Sequence, residues 1–441
     1  MLRFSLFASG EKVPPEWAGG LDIVYRFGPG FKDSELKVRL EVNTQFITKP
    51  IFNVIGTILG KDEPDRLVLM GNHRDAWVFG GVDPSSGTAV MMEASRGIGE
   101  LLINTDWRPR RTIVFCSWGA EEFGLIGSYE WVEENRNMLR DRAVMYLNVD
   151  SAVKGNFSFG ANGNPGLKSL VFQETALVKD PNARDKEASV YDHWLIRKPS
   201  STEPGKPFFG SLGAGSDYVP FSHFIGVPSI DMSYRFNSLN RTLYPVYHTV
   251  HDTFYWQKTF SDPHFATHLA MSQIGARIVL EAADTPILPY NLTDYKETLE
   301  RNFAALENSS LIKPLLLQGN VTLAHLGNQI RQFSRNAEAF EKRKAEALDT
   351  QDFARLRILN DQMMNMERAF IWPLGLPGRK LIRHVLFAPQ MHNNYGRSTF
   401  PGITDALFDI EKTNNWKLVK EQVSIAITCV REAGKILAVI D

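Results

Sequence analysis

"RLVLMGNHRDAWVFGGVDPSSG" (66–87) passes from an apolar, β-branched run straight into a glycine-rich loop holding His73, Asp75 and Asp83. Taken alone, it reads as a buried strand followed by a polar turn whose His and Asp cap something nearby. The rest of the chain gives it another meaning. From about residue 50 to 284, short strand-like runs recur: "FNVIGTIL" (52–59), "RLVLM" (66–70), "TIVFCSW" (112–118), "AVMYLNV" (143–149) and "VPSIDMSY" (227–234). Between them lie amphipathic stretches such as "TAVMMEASRGIGELL" (88–102) and "SYEWVEENRNML" (128–139). This rhythm predicts an α/β fold, a mostly parallel sheet flanked by helices.

Beyond residue 288 the period changes. "VTLAHLGNQIRQFSRNAEAF" (321–340) sets Leu323, Leu326, Ile330, Phe333, Ala337 and Phe340 at helical spacing. "FARLRILNDQMMNMERAF" (353–370) and "WKLVKEQVSIAITCVREAGKILAVI" (416–440) also read as helices. Three regions follow: a Gly/Pro-rich connection over 1–40, an α/β domain over 41–288 and an all-α domain over 289–441. The Pro/Gly/Asn-rich connection 373–402 is long enough to suggest a functional loop.

Composition narrows the function. The 441 residues are 43% hydrophobic and 22% charged, with a formal net charge of −1, so nothing marks a nucleic-acid partner. The two cysteines, Cys116 and Cys429, are far apart and lie in apolar runs, which suggests structural thiols rather than a disulfide framework. No run of 18 apolar residues offers a membrane span. Sequons begin at Asn156, Asn240, Asn291, Asn308 and Asn320, a weak hint of a secreted ectodomain.

Four polar sites line up, the first three of them beyond strand ends. His73 and Asp83 follow "RLVLM", Glu121 and Glu122 follow "TIVFCSW", Asp150 ends "AVMYLNVD", and His248 stands in "YPVYHTVHDT". Ligands of parallel α/β sheets bind beyond the carboxyl ends of the strands. Two His and several carboxylates without Cys suit catalytic zinc, and two ions need one shared carboxylate plus private ligands on each side. Asp83 could bridge, with His73 and Asp150 on one ion and Glu122 and His248 on the other. Glu121 is then left as general base for water attacking a peptide carbonyl. Asp75 would accept a bond from the His73 ring and fix its tautomer.

With these residues in view, "NVIGTILGKDEPDRLVLMGNHRDAWVFGGVDPSSG", "RPRRTIVFCSWGAEEFGLIGS", "YLNVDS" and "YPVYHT" closely resemble zinc peptidase family M28, in its glutamate carboxypeptidase II branch. The resemblance continues through "NDQMMNMERAF", "PLGLPGRKLIRHV" and "FPGITDALFDIE". It implies a dizinc exopeptidase of short peptides, with Glu121 as base and His73, Asp83, Glu122, Asp150 and His248 as ligands. It further implies a transferrin-receptor-like helical domain forming a homodimer; Glu130 and Glu133 match positions that help hold calcium with the apical domain in full-length relatives, a solvated helix face being an equal reading here. Relatives carry a transmembrane helix and an apical domain ahead of "PPEWAGG". The expectation is therefore an N-terminally truncated chain from a type II plasma-membrane or secretory protein.

The resemblance also places Ser216, Tyr247, Asp231, Ser233, Asn394 and Tyr395 at the substrate pocket. Asp231 and Ser233 stand where relatives acting on acidic dipeptides carry arginines, and Asn394 where they carry a lysine. The chain thus looks more like the ileal aminopeptidase-like subgroup. Its anionic clamp is expected to be gone, leaving aminopeptidase or dipeptidase action with neutral-residue preference. The alternatives are a glutamate carboxypeptidase acting on N-acetylated acidic dipeptides and, in another class, an inactive transferrin-receptor-like binding protein. His251 makes an HxxH spacing with His248 but falls outside the match, and Asp217 is expected to order its own loop.

Overall fold

The structure is a computed structural model describing residues 8–185, 187–237 and 244–439, with only the backbone of 394 and 395. The chain forms two compact units, Met1–Pro50 and Ile51–Asp441. The first holds isolated bridges, Ala8 to Phe31 and Lys12 to Arg26, and one short turn of helix over Pro15–Trp17. Residues 289–441 belong to the same unit as the α/β part.

The second unit is built on a seven-stranded sheet. Its strands are β1 (Val54–Ile58), β2 (Glu63–His73), β3 (Arg111–Trp118), β4 (Ala143–Asn148), β5 (Ser158–Gly163), β6 (Phe209–Gly210) and β7 (Ser229–Arg235), in the order β1-β3-β2-β4-β7-β5-β6. The centre, β3-β2-β4-β7, is parallel, while β1 and β5 each meet a neighbour antiparallel. The five sequence-derived strands are all present; β5 and β6, short and glycine-bearing ("SFGANG", "FG"), carry too little β-branched signal to be read. β2 lies between β3 and β4, so the chain leaves to one side after β2 and reaches the other side with β4. The resulting crevice at their carboxyl ends is the natural ligand site of such sheets.

Helix α1 (Ser85–Asn104) buries Val90, Met91, Ala94 and Ile98, and Gly87 lets its first turn close on β4. A Cβ on Gly87 would stand 1.7 Å from the Val149 carbonyl oxygen and 1.8 Å from that of Asp150. Helices α2 (Ile126–Glu134) and α3 (Arg136–Arg142) replace the single helix expected over 128–139, breaking at Asn135. Helix α4 (Ala266–Asp284) shares a core cluster with α1 and inner-strand residues such as Val68, Met145 and Ile230.

That cluster continues into the helical region, α5 (Leu292–Glu307), α6 (Ala324–Thr350), α7 (Phe353–Arg368) and α8 (Trp416–Ile436). The stripe Leu323, Leu326, Ile330, Phe333, Ala337 and Phe340 is buried throughout. The long connection contains a hairpin, β8 (Phe387–Gln390) with β9 (Asn393–Thr399). Cys116 and Cys429 are free and buried. Among the described residues, no helix is long and apolar enough to cross a membrane. Of the sequons, Asn240 lies outside the described residues; Asn291 caps α5, its side chain accepting from the Thr293 amide while Nδ2 donates to Ser169.

Candidate metal centre and substrate cleft

His73 is the last residue of β2, buried, and its Nε2 lies 3.1 Å from Asp150 Oδ1 and 3.3 Å from Asp83 Oδ1. His248 Nε2 stands 3.3 Å from Asp83 Oδ2 and 3.3 Å from Glu122 Oε2. The donors therefore form two triads, His73, Asp83, Asp150 and Asp83, Glu122, His248, each within 4.8 Å, with Asp83 common to both. Around a tetrahedral zinc with bonds of about 2.1 Å, neighbouring donors stand about 3.4 Å apart. The observed spacings fit that edge. Asp83 Oδ1 is buried, and its contact is the His73 ring nitrogen at 3.3 Å, as expected for two donors that face one ion. Glu121 belongs to neither triad, and its Oε2 is 3.9 Å from His73 Nε2.

The loops are fixed by groups that sequence reasoning missed. Asn72 Nδ2 donates to the carbonyls of Val149 at 3.1 Å and Asp150 at 3.3 Å, tying the exit of β4 to β2. The Asp252 carboxylate accepts the amides of Val82 at 2.7 Å and Asp83 at 3.1 Å and the Tyr244 hydroxyl at 2.9 Å. A loop glycine serves the same contact. A Cβ on Gly81 would lie 2.3 Å from the Thr253 carbonyl carbon, so this glycine admits the neighbouring loop. His248 and Ala120, the residue before Glu121, adopt positive φ of 55° and 57°, backbone strain concentrated at the site.

Asp75 faces His73 with both its main chain and its carboxylate. The His73 Nδ1 partner at 2.9 Å is the Asp75 main-chain carbonyl, with the carboxylate at 3.7 Å. That carboxylate accepts the amides of Glu121 at 3.0 Å and Glu122 at 3.1 Å, bracing the loop that carries them. Like Asp252, it holds a loop by its backbone.

Burial and the neighbouring charges together set the ionisation of the cluster. Burial and the nearby Asp150 carboxylate push Glu121 up to about 10, and burial with Asp83 pushes Glu122 up to about 7. Burial opposes the charge on His73, but Asp150, Asp75 and Asp83 hold its imidazole well above the ordinary range. For Asp83, burial is outweighed by the bonds from His248 and His73, which keep its carboxyl well below it. Divalent cations would offset the carboxylate charge of the cluster.

A cavity of about 560 Å³ opens beside the cluster, lined in part by Ser216, Tyr247, Asp231 and Ser233. Ser216 accepts from Asn148 Nδ2 at 2.9 Å, and the Tyr247 ring stacks on His248 with centroids 3.7 Å apart. The side chains of Asn394 and Tyr395 lie outside the described residues. Beside Asp231 and Ser233, the same cavity is lined by three cations, Lys154, Arg235 and Arg397. Arg235 was legible: it follows Asp231 and Ser233 at period two on β7 and so shares their face. Arg397 stands on β9 two residues beyond Tyr395, which the resemblance already places at the pocket. Glu130 and Glu133 are exposed on α2, and neither joins a metal-capable group among the described residues; nothing supports calcium there. His251 is likewise outside both triads, and Asp217 is buried, accepting from the Ser128 hydroxyl.

Residues 53–271 match the family model for Peptidase family M28, and 321–438 that for the Transferrin receptor-like dimerisation domain. The chain is a member of peptidase family M28. Aminopeptidase NAALADL1 of Rattus norvegicus is 38% identical over 444 residues, covering 97% of this chain and 58% of that protein. A probable glutamate carboxypeptidase of Arabidopsis thaliana, LAMP1, is 39% identical over 417 residues, covering 94% and 57%. This M28 chain thus spans rather more than half the length of these relatives. Among solved structures, BSAP, a zinc aminopeptidase from Bacillus subtilis, aligns with a TM-score of 0.40 at 21% identity, over 53% of this chain and 50% of that one.

Proposed function

We propose that this chain is the catalytic part of a two-zinc exopeptidase acting on short peptides, of aminopeptidase or dipeptidase type. The observation that carries the reading is Asp83, shared between two donor triads, with a carboxylate outside both, Glu121, facing the same space. His73, Asp83 and Asp150 would hold one ion, and Asp83, Glu122 and His248 the other. Bound zinc polarises a scissile carbonyl and makes water a competent nucleophile at neutral pH. Glu121 Oε2 takes the proton of the attacking water and delivers it to the leaving amine. Asp75 and Asp252 keep the ligand loops in register. The similarity to a protein named an aminopeptidase agrees with this class, and the intact donor set argues against an inactive receptor-like protein. The match to the dimerisation domain supports a homodimer through the helical region.

Metal analysis and kinetics together test the proposal. Chelation should abolish peptide hydrolysis and added Zn²⁺ restore it, with two ions per chain by elemental analysis. Glu121→Gln should retain both ions and lose at least about a hundredfold in kcat, within the usual share of general-base catalysis. Asp83→Ala should lose metal itself. Wild-type turnover in Glu121→Gln would remove Glu121 as the base, and two tightly held ions in Asp83→Ala would remove Asp83 as the bridge.

A further inference from the structure

One wall of the cavity has no regular structure of its own. Gly213, Ala214, Gly215 and Ser216 line it, and residues 211–216 belong to no strand or helix. Two of the four are glycines, which bring no side chain to anchor the backbone and have the most conformational freedom to lose. Side chains from elsewhere hold them. The Ser216 hydroxyl accepts from Asn148 Nδ2 at 2.9 Å, the Gly215 amide donates to the Tyr218 hydroxyl at 3.1 Å, and the Gly213 carbonyl meets His223 Nε2 at 2.8 Å. Gly213 is itself buried, so a lost bond leaves its carbonyl to find another partner by moving the loop.

His223 lies on the short helix Pro220–Ile225, wholly buried and apart from the donor triads. Its partner at Nε2 is a carbonyl, which only accepts, so Nε2 carries the proton. Nδ1 is buried with no hydrogen-bond partner among the described residues, which leaves the bond to Gly213 as the polar contact of the ring. Burial and the neighbouring His384 push the imidazole down to about 3, so the ring is neutral near pH 7.

The helical region holds His223 from the other side. The Arg383 amide donates to the His223 carbonyl at 2.7 Å, and the His384 ring stands edge to the His223 ring with centroids 6.4 Å apart. His384 donates from Nε2 to Glu367 on α7 at 2.8 Å, while its Nδ1 accepts the amides of Leu386 at 3.3 Å and Phe387 at 3.2 Å. His223 thus stands between a fixed partner and the unsupported wall of the cleft.

We propose that His223 is a positioning residue of the substrate cleft, which by donating from Nε2 to the Gly213 carbonyl holds residues 213–216 in the shape that receives the peptide. This role rests on the exopeptidase reading. The metal-binding residues and Glu121 are carried by other loops, so loss of the bond raises KM and spares kcat and metal content. A displacement of about 1 Å in a positioning group can cost as much as about a hundredfold.

Two variants of similar length separate the donor from the bulk of the side chain. His223→Gln sets an amide nitrogen near the place of Nε2, whereas His223→Met has no donor. On the whole chain with Zn²⁺, His223→Met should raise KM for a short peptide at least about tenfold with kcat within about threefold, and His223→Gln should restore most of the loss. Hydrogen exchange without substrate gives a second readout. Fragments covering residues 211–219 should exchange faster in His223→Met than in the unchanged chain, with those covering β2 and β4 unaltered. Should His223→Met not fold, His223→Asn, polar but too short to reach Gly213, takes its place in both arms. If no chain hydrolyses peptide yet the exchange of 211–219 follows the donor, the exopeptidase reading fails while His223 still holds the wall. A KM unchanged in His223→Met, a KM raised equally in the Met and Gln variants, or equal exchange of 211–219 in all chains overturns the positioning role.

Discussion

Asp75 and Asp252 stand outside the donor triads, yet each uses its carboxylate to pin the backbone of a ligand-bearing loop. Asp252 is the stricter case, because the two amides it accepts belong to Val82 and Asp83, and Asp83 is the ligand common to both triads. Removing it leaves two amides and the Tyr244 hydroxyl without their partner. Asp252→Ala should therefore weaken metal affinity by ten- to a hundredfold, the usual cost of losing a group that orients a ligand. It should also lower stability by about 1–3 kcal/mol. A competitive chelator titration reads the first effect and urea unfolding the second; unchanged metal affinity would show that Asp83 is placed by its own loop alone. Asp252→Asn should recover part of both losses, since an amide oxygen can still accept one bond.

At the scale of the element, two glycines on α1 predict opposite signs. Gly87, in the first turn, meets the carbonyls that leave β4, and a methyl there would overlap the Val149 oxygen at 1.7 Å. The helix would have to retreat from the strand that delivers Asp150. Gly87→Ala should destabilise by at least about 2 kcal/mol, within the range for overpacked sites, and lower metal content as well. Gly97, exposed further along the same helix, has nothing within 4 Å of its added Cβ. Gly97→Ala should stabilise by about 0.5–1 kcal/mol through helix propensity alone. Equal effects of the two substitutions in chemical denaturation would mean that the close approach of α1 to β4 carries no weight.

For the molecule as a whole, a polar network and an apolar core join the α/β and helical regions. Glu367 on α7 is buried and accepts from Asn164 Nδ2 at 2.6 Å, the Tyr295 hydroxyl at 3.3 Å and His384 Nε2 at 2.8 Å. These partners come from the end of β5, from α5 and from the segment before β8. Glu367→Ala should cost at least about 2 kcal/mol, because it leaves several buried polar groups unpaired. Since one apolar cluster runs from Val68 and Ile230 to Phe333 and Val430, the 51–441 unit should unfold in a single cooperative step. Two separable transitions by calorimetry would show that the helical region folds independently. Sedimentation of the chain at micromolar concentration should show a dimer, and a monomer throughout would count against the helical region as the seam.

The candidate metal centre was legible in local sequence because each candidate ligand lies at or beyond a strand end, or in a short motif. Strand ends are set by periodicity and glycine, which neighbouring residues determine. Hence His73, Asp83, Glu121, Glu122 and Asp150 could be named as candidates from the alternation of strands and helices, and His248 from its own motif, before any coordinates, and the helical stripe from Leu323 to Phe340 likewise. Arg235 was equally within reach, two steps beyond Ser233 on one strand face. What the chain order cannot express is which distant backbone groups meet. The Asp252 carboxylate finds the amide of Asp83 across 169 residues, and a hairpin brings Arg397 to a floor laid by strands more than 150 positions earlier. Such contacts depend on long-range packing, whose closure no local pattern encodes, so which residues of the hairpin meet that floor was decided by the tertiary structure.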